Sequence, residues 1–157
     1  MVSLKTIARF CSMLLLLALI LTPAGSVRAA PGNTTRVSVA SDGTQANGGS
    51  FTPSISADGR YVAFASIAVN LVSGDTNGVQ DIFVHDRQTG QTTRVSVASG
   101  GAQANGPSFD PSISADGRYV AFRSGADNLV SGDTNGRYDI FVREMNKSVV
   151  FLPLVVR

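Results

Sequence analysis

Two loops of nearly the same sequence carry the side chains best suited to chemistry. Residues 75–81 (DTNGVQD) and 133–139 (DTNGRYD) place an acid, an amide and an acid at positions one, three and seven, with glycine at position four. A calcium ion takes about six to eight oxygen ligands from carboxylates, amide carbonyls, backbone carbonyls and water. The pattern predicts two weak calcium sites whose ligands are Asp75, Asn77, Asp81, Asp133, Asn135 and Asp139.

The same loops also have a purely structural interpretation. Asp and Asn favour turns because their side chains hydrogen-bond to the nearby backbone, and Asp81 and Asp139 can simply begin a strand. The loops lack the fifth-position ligand and the distal Glu of the EF-hand pattern. Calcium binding and turn formation therefore both remain open at this point.

Other residues offer little chemistry. His85, the only histidine, has Arg143 as its counterpart, and we predict a solvent-facing strand position for it. Zinc has too few ligands, since no second histidine exists and Cys11 falls within the predicted leader peptide. Asp58 and Asp116 stand in Asp-Gly turns, which need such residues for backbone reasons. We predict no catalytic residue, no cofactor other than calcium, and no enzymatic activity.

These residues belong to an internal repeat with a constant offset of 58 residues. Residues 53–64 (PSISADGRYVAF) recur at 111–122, and 70–78 (NLVSGDTNG) recur at 128–136. Between 34–84 and 92–142, roughly four positions in five are identical. The two units, 34–91 and 92–149, must therefore share one fold. The aromatic residues that recur at matching strand positions are predicted to pack in the core rather than to form a binding platform: Tyr61, Phe64, Phe83, Tyr119, Phe122 and Phe141.

Each unit has the pattern of four short strands. In the first unit we predict strands at 53–56, 60–66, 81–86 and 92–97, with a tight turn at Asp58-Gly59. In the last of these strands Thr93, Val95 and Val97 are expected to face one way, because side chains alternate along a strand. No segment after the leader has a convincing helical period. The prediction is an all-β protein with two four-stranded antiparallel blades, preceded by a signal-peptide helix.

The strand motif resembles a known repeat. Residues 53–66, followed by DIFV at 81–84, are similar to the TolB-type propeller repeat, also called the WD40-like or PD40 repeat, of the form P-x-x-S-x-D-G-x-x-[IV]-A-F-x-S…D-I-[FY]-V-x-D. The second unit departs from it only where Glu144 replaces the final Asp, which is Asp86 in the first. The resemblance implies a β-propeller and a binding or scaffold role. Propellers close with about four to eight blades, so two blades predict an incomplete propeller.

The two ends of the repeat array leave strands without obvious partners. Residues 150–156 (VFLPLVV) fall where a third copy of TTRVSVA would start, and we predict a C-terminal strand with Pro153 at an edge position. A sticky or sorting tail is the alternative. Residues 34–39 are predicted to form a spare outermost strand. Because unpaired edges and uncovered faces favour association, we predict self-association or protein partners, with a sandwich within one chain as the alternative.

The first thirty residues have the layout of a signal peptide. Lys5 and Arg9 precede the apolar run 13–21, and Val27 and Ala29 stand at −3 and −1 of a cleavage site after Ala29. The run is shorter than the roughly 20 residues that span a bilayer. We predict a leader at 1–29, a mature chain at 30–157, and a secreted, periplasmic or extracellular location. An uncleaved anchor is the alternative.

Charge excludes one class of partner. Cleavage after Ala29 removes three of the 13 basic residues, Lys5, Arg9 and Arg28, which leaves ten against 11 acidic residues. No basic cluster remains to bind a phosphate backbone, so we predict no nucleic-acid partner. The predicted function is an exported, non-enzymatic binding or scaffold module. The alternatives are a small calcium-dependent extracellular protein and a fragment of a longer propeller, and a hydrolase is the least favoured because no active site is visible.

Overall fold

The computed structural model describes residues 32–145. The predicted leader, at 1–29, and the predicted C-terminal strand, at 150–156, lie outside the described residues. From Thr35 onward the described chain forms one unit of two antiparallel sheets, which are the two blades. The first sheet contains four strands in sequence order: β1 (Ser50–Ile55), β2 (Tyr61–Ser66), β3 (Asp81–Asp86) and β4 (Thr92–Arg94). The second contains three: β5 (Ser108–Ile113), β6 (Tyr119–Ser124) and β7 (Asp139–Glu144).

The all-β prediction is confirmed. Residues 32–145 contain no helix, and the two sheets do not close into a ring, which is the arrangement of an incomplete propeller. The second blade has three strands within this range because its predicted fourth strand lies beyond it. No helix of the described part of the chain is long and apolar enough to cross a membrane.

The turn between β1 and β2 is built by the residues that the repeat motif contains. Ser56 donates its hydroxyl to Asp58 Oδ1 at 2.6 Å, and the same oxygen accepts the backbone N–H of Arg60 at 3.0 Å. These hydrogen bonds lower the pKa of the Asp58 carboxyl, and the one from Ser56 has the largest effect. The second blade repeats the turn, with Ser114 donating to Asp116 at 2.6 Å. The prediction that these aspartates form turns is confirmed.

The predicted strand limits were wrong at several points. β1 begins at Ser50, three residues earlier than predicted, and its pairing with β2 is interrupted by a bulge between Phe51 and Ser54. Thr52 lies in this bulge with a φ of 47°, a conformation that is unusual for a β-branched residue. Residues 34–39 do not form the predicted spare strand, and only a single bridge joins Val39 to Gln45.

The last strand of the first blade was predicted too long. β4 ends at Arg94 rather than Val97, and Val95 and Ser96 are both buried, which breaks the predicted alternation. The cause is a side chain that bonds to the neighbouring strand. Ser96 Oγ donates to Asp81 Oδ1 at 2.6 Å and accepts the backbone N–H of Ile82 at 3.1 Å. The chain therefore turns at Ser96, where the N–H of Val97 bonds to the carbonyl of Val95 at 2.7 Å.

The core lies mostly between the two blades. We call the face of a blade that carries Ala63, Ala65, Ile82 and Val84, or their counterparts 58 residues later, its front face. We call the opposite face its back face. The front face of the first blade packs against the back face of the second, and together they bury Ala63, Ala65, Ile82, Val84, Val95, Ala104, Ile113, Val120, Phe122, Ala126 and Leu129. A smaller cluster on the back face of the first blade contains Phe64, Ala68, Leu71 and Phe83.

Most of the repeated aromatic residues belong to these cores, as predicted. The rings of Phe64 and Phe83 lie 5.9 Å apart, and those of Phe122 and Phe141 are also 5.9 Å apart. Tyr119 is the exception, since it is 39% exposed. It lies on the front face of the second blade, which no third blade covers.

Three hydrogen bonds fix the second blade on the first. The N–H of Ile113 donates to Ser54 Oγ at 3.1 Å. The N–H of Ser108 donates to the carbonyl of Gln80 at 2.7 Å, and Ala57 donates to the carbonyl of Ala115 at 3.0 Å. Because they lie at different points along the interface, they set both the register and the rotation between the blades.

Candidate functional site

The first acidic loop closes around the guanidinium of Arg94. Nη1 of Arg94 lies 3.1 Å from Asp75 Oδ1 and 3.5 Å from Asp81 Oδ2, and it donates to Gln103 Oε1 at 2.7 Å. The side chains of Asp75, Asp81 and Arg94 are only 3%, 0% and 11% exposed. A cation that belongs to the chain therefore lies between two of the predicted calcium ligands.

Hydrogen bonds occupy most of the remaining oxygens of this loop. Asn77 Nδ2 donates to Asp81 Oδ2 at 2.9 Å and to the carbonyl of Ala104 at 3.0 Å. Ser96 donates to the other oxygen of Asp81. Asn77 thus turns its amide nitrogen, not its oxygen, toward the carboxylate. These contacts close the loop, and a calcium ion bound here would have to displace Arg94.

The electrostatic balance of this cluster favours a cation. Burial, followed by the nearby charge of Asp81, raises the pKa of the Asp75 carboxyl, and Arg94 opposes that shift. Asp75 Oδ1 makes no hydrogen bond, so its ion pair with Arg94 is its principal polar contact. Two carboxylates share one guanidinium, which leaves the ionised cluster with one net negative charge.

The second acidic loop has the same turn but lacks the repeat-related arginine. Asn135 Nδ2 donates to Asp139 Oδ2 at 2.8 Å, and the N–H of Arg137 donates to Asn135 Oδ1 at 2.7 Å. Asp133 and Asp139 are half-buried and Asn135 is exposed. The counterpart of Arg94 is Leu152, outside the described residues.

The two acidic loops differ in how well they suit a calcium ion. Within residues 32–145, no three His, Cys, Asp or Glu side chains are grouped so that they could hold one metal ion. Asn77 and Asn135 are not of these four residue types, although their side-chain oxygens are also possible metal ligands. The six ligands proposed from the sequence therefore remain a prediction, which the second loop fits better than the first.

His85 is not the solvent-facing residue that the sequence predicted. It is 7% exposed, and its Nδ1 lies 2.9 Å from Thr92 Oγ1, which donates to the carbonyl of Val39. Burial lowers the pKa of the imidazole. In the second blade Arg143 takes the place of His85 and reaches the corresponding carbonyl, that of Val97, directly at 3.4 Å. The position therefore fastens the segment that precedes each blade to the back face of that blade.

A cluster that the sequence analysis missed lies at one corner of the second blade. The guanidinium of Arg123 stacks on the rings of Phe109 and Tyr138, 5.1 Å from each centroid, and its Nη2 lies 3.4 Å from Asp110 Oδ2. The ring centroids of Phe109 and Tyr138 are 5.9 Å apart. The cluster is open to solvent, since the side chains of Arg123 and Asp110 are 44% and 62% exposed.

This cluster exists only because the two repeats differ. The first repeat has Ala65, Thr52 and Gln80 where the second has Arg123, Asp110 and Tyr138. It also has Ile67 where the second has Gly125, at which a Cβ would lie 3.0 Å from the Tyr138 ring. The glycine thus makes room for the tyrosine. A comparison of the repeats for their differences, rather than their identities, could have found the cluster.

The front face of the second blade is exposed, although apolar residues at the same repeat positions are buried in the core of the first blade. Ile140 and Val142 are 71% and 66% exposed, while their counterparts Ile82 and Val84 are 0% and 3% exposed. The difference comes from the second blade itself, which covers the front face of the first. This exposed apolar face is the best candidate for a functional surface.

Two shallow depressions lie at equivalent places in the repeats. One, of about 680 Å³, lies between the turn at 40–42 and the loop at 69–76, and the other, of about 670 Å³, between 98–100 and 127–132. Both are lined largely by small and aliphatic side chains. They have the shape of grooves at the surface rather than of enclosed ligand cavities.

Comparisons with known proteins give the following matches. No protein-family model and no curated protein matches the chain. The crystal structure of TolB from Acinetobacter baumannii is 20% identical over 62% of this chain, with a TM-score of 0.38. A structure from Agrobacterium tumefaciens assigned to TolB is 21% identical over 64% of it, with a TM-score of 0.40.

This chain spans only 19% and 31% of the lengths of those two structures. Both structures are of the protein type that the repeat motif indicated.

Proposed function

We propose that this protein is an exported, non-enzymatic binding or scaffold module built from two TolB-like blades. The observation that carries the proposal is the exposure of Ile140 and Val142 on the front face of the second blade. Their counterparts form the surface on which a whole blade docks within the chain. We therefore expect the exposed face to dock a partner in the same way.

The size of the uncovered side chains supports this interpretation. Tyr119, Tyr138, Ile140 and Val142 are all more than a third exposed, and apart from Tyr138 they follow neighbouring strands of one sheet face. Contiguous exposed apolar residues of this kind mark interaction sites. The charged groups Arg123 and Glu144 lie beside them, as polar residues do at the rim of an interface.

The positions of the polar residues also favour binding over catalysis. His85 bonds to Thr92, and Asp81 bonds to Ser96 and Asn77. Each of these side chains connects one segment of the fold to another. Export is proposed from residues 1–29, whose basic start, apolar run and small-residue end match a signal peptide.

A calcium-dependent role is the second candidate, and the second acidic loop favours it. Asp133, Asn135 and Asp139 keep the ligand spacing of the first loop, while Leu152 takes the sequence position of Arg94, which pairs with both carboxylates of that loop. Calcium would supply there the positive charge that Arg94 supplies between Asp75 and Asp81.

Site-specific photo-crosslinking in the producing cell tests the binding proposal. A photo-reactive amino acid in place of Val142 should give a discrete cross-linked product, and one in place of the exposed loop residue Ser131 should not. A product at both positions, or at neither, would contradict a specific docking face on the second blade.

A further inference from the structure

We propose that the front face of the second blade binds the back face of the first blade of another copy of this chain, head to tail. The inference rests on the proposed binding function and names the partner. It follows from the repeat, because the chain already contains this interface once, between its own two blades. In the described part of the chain, the front face of the second blade and strand β1 on the back face of the first are both exposed.

The back face of the first blade is exposed along strand β1, whereas Phe64 and Phe83 on the same face are buried within the chain. Ile55 is 58% exposed, whereas its counterpart Ile113 is 8% exposed because it packs in the core between the blades. Ile113 shares that core with Ile82 and Val84. In a head-to-tail pair, Ile55 of one copy would occupy the same position against Ile140 and Val142 of the other.

The hydrogen bonds between the blades can be repeated between copies. Ser112, the counterpart of Ser54, is present and exposed, so it can accept the N–H of Ile55 of the second copy. The other two bonds between the blades use backbone groups only. They would become Ser50 N–H to the carbonyl of Tyr138, and Ala115 N–H to the carbonyl of Ala57.

A heterologous interface of this kind is open at both ends, so copies add until a ring closes. It is tested by blocking each face separately. The front-blocked variant combines Ile140→Asp with Val142→Asp, and the back-blocked variant is Ile55→Asp. All three residues are exposed in the single chain, so both variants should fold, which circular dichroism and melting curves will verify. Ser131→Asp, in an exposed loop, is the control.

We expect the wild-type mature protein and the control to be oligomers by light scattering at about 10–100 µM, a range in which weak specific contacts are populated. Each blocked variant alone should have the mass of one chain. A 1:1 mixture of the two should form a dimer and nothing larger, because one intact front face and one intact back face remain.

A folded wild-type monomer would overturn the inference, and so would a front-blocked variant that still assembles or a mixture that stays monomeric. These results are distinct from a failure of the proposed binding function. A monomer in solution with a cross-link from position 142 to a different protein would end the self-association inference and leave the docking face in place. No cross-link from that position would end both.

Discussion

The ring of Tyr61 in the first blade lies against Gly117 in the turn of the second. A Cβ built at Gly117 would fall 2.4 Å from Cδ2 of Tyr61, closer than such contacts are ever found, and the φ of Gly117 is +70°. The guanidinium of Arg60 also lies over this ring, 4.7 Å from its centroid. The ring is therefore held between the two blades and cannot easily retreat.

Gly117→Ala should destabilise the protein far more than Gly59→Ala. Both glycines have a φ of +70°, and alanine costs about 1 kcal/mol at such a position. A Cβ at Gly59 would be no nearer than 3.6 Å to any neighbour, so that cost is all we expect there. At Gly117 the clash with Tyr61 should raise the loss to about 2–4 kcal/mol, as overpacked sites do. Urea unfolding of the two variants measures the difference, and equal losses would show that the blades do not pack as described.

The ion pair between Arg60 and Asp86 in the first blade should contribute more to stability than its counterpart in the second blade, between Arg118 and Glu144. Arg60 binds Asp86 with two hydrogen bonds, Nε to Oδ1 at 2.9 Å and Nη2 to Oδ2 at 2.7 Å. This contact holds the pKa of the Asp86 carboxyl well below its usual value. Arg118 and Glu144 make one contact of 3.2 Å, with side chains that are 48% and 60% exposed.

We expect Asp86→Asn to lower the free energy of unfolding at pH 7 by about 1 kcal/mol, and Glu144→Gln to have no measurable effect. Because the pKa of Asp86 is lower in the folded state, its contribution is present above the unfolded pKa of 3.8 and is lost as the pH falls below it. Denaturation curves should show a smaller Asp86→Asn penalty at pH 3 than at pH 7, because the unfolded carboxyl already takes up protons at pH 3 while the folded one does so only at lower pH. A penalty of the same size at both would assign the loss to packing instead.

His85 should make the protein less stable in mild acid. Its pKa is lowered, chiefly by burial, with Asp86 opposing and Arg87 adding to the shift. The unfolded chain therefore takes up a proton more readily, so stability is constant above the unfolded pKa of 6.5 and falls below it. Between pH 7 and pH 5 we expect a loss of up to about 1 kcal/mol that His85→Gln abolishes.

The pH experiment has an internal check. Asp75 contributes to the pH dependence of stability with the opposite sign. Its pKa is raised in the folded state, so stability rises as the pH falls through its folded pKa. His85→Gln leaves that contribution in place, so the difference between the two proteins isolates the histidine. If wild type and variant have the same pH dependence, the imidazole titrates as freely in the folded protein as in the unfolded one.

Calcium should act through the second loop if it acts at all. Millimolar calcium should raise the melting temperature, because a ligand of the native state stabilises it by mass action, and Asp133→Ala should remove that increase. Asp75→Ala should leave it, since the guanidinium of Arg94 already lies between the two carboxylates of the first loop. Melting curves with calcium and with chelator measure both, and curves that calcium does not move would reduce both loops to turns.

Export should remove the leader peptide. The apolar run 13–21 and the small residues Val27 and Ala29 predict cleavage after Ala29. N-terminal sequencing of protein recovered outside the cytoplasm should therefore begin at or near Ala30. Recovery of membrane-bound protein that still begins at Met1 would support the uncleaved anchor.

Much of the fold could be predicted because its determinants are local. The Asp-Gly turns form through contacts between residues two apart, such as Ser56 with Asp58, and the offset of 58 residues imposes the same solution on both units. Strand ends were less predictable. β4 stops at Arg94 because Ser96 bonds to Asp81, a residue 15 positions away that no local pattern identifies.

The candidate sites likewise depended on contacts between different segments of the chain. The spacing of Asp75, Asn77 and Asp81 suggested a cation, but only the folded chain brings Arg94, from another strand, between the two carboxylates. The burial of His85 likewise depends on Thr92 and on Val39, 46 residues before it.

The segment DIFV separates what the sequence determined from what the tertiary structure decided. It occurs twice, at 81–84 and 139–142, and both copies form the same strand in the same register, because strand formation depends on local side-chain alternation and on the adjacent strand. Yet Ile82 is 0% exposed and Ile140 is 71% exposed. Burial depends on whether another blade covers the face, and identical sequences therefore form a core in one blade and an open surface in the other.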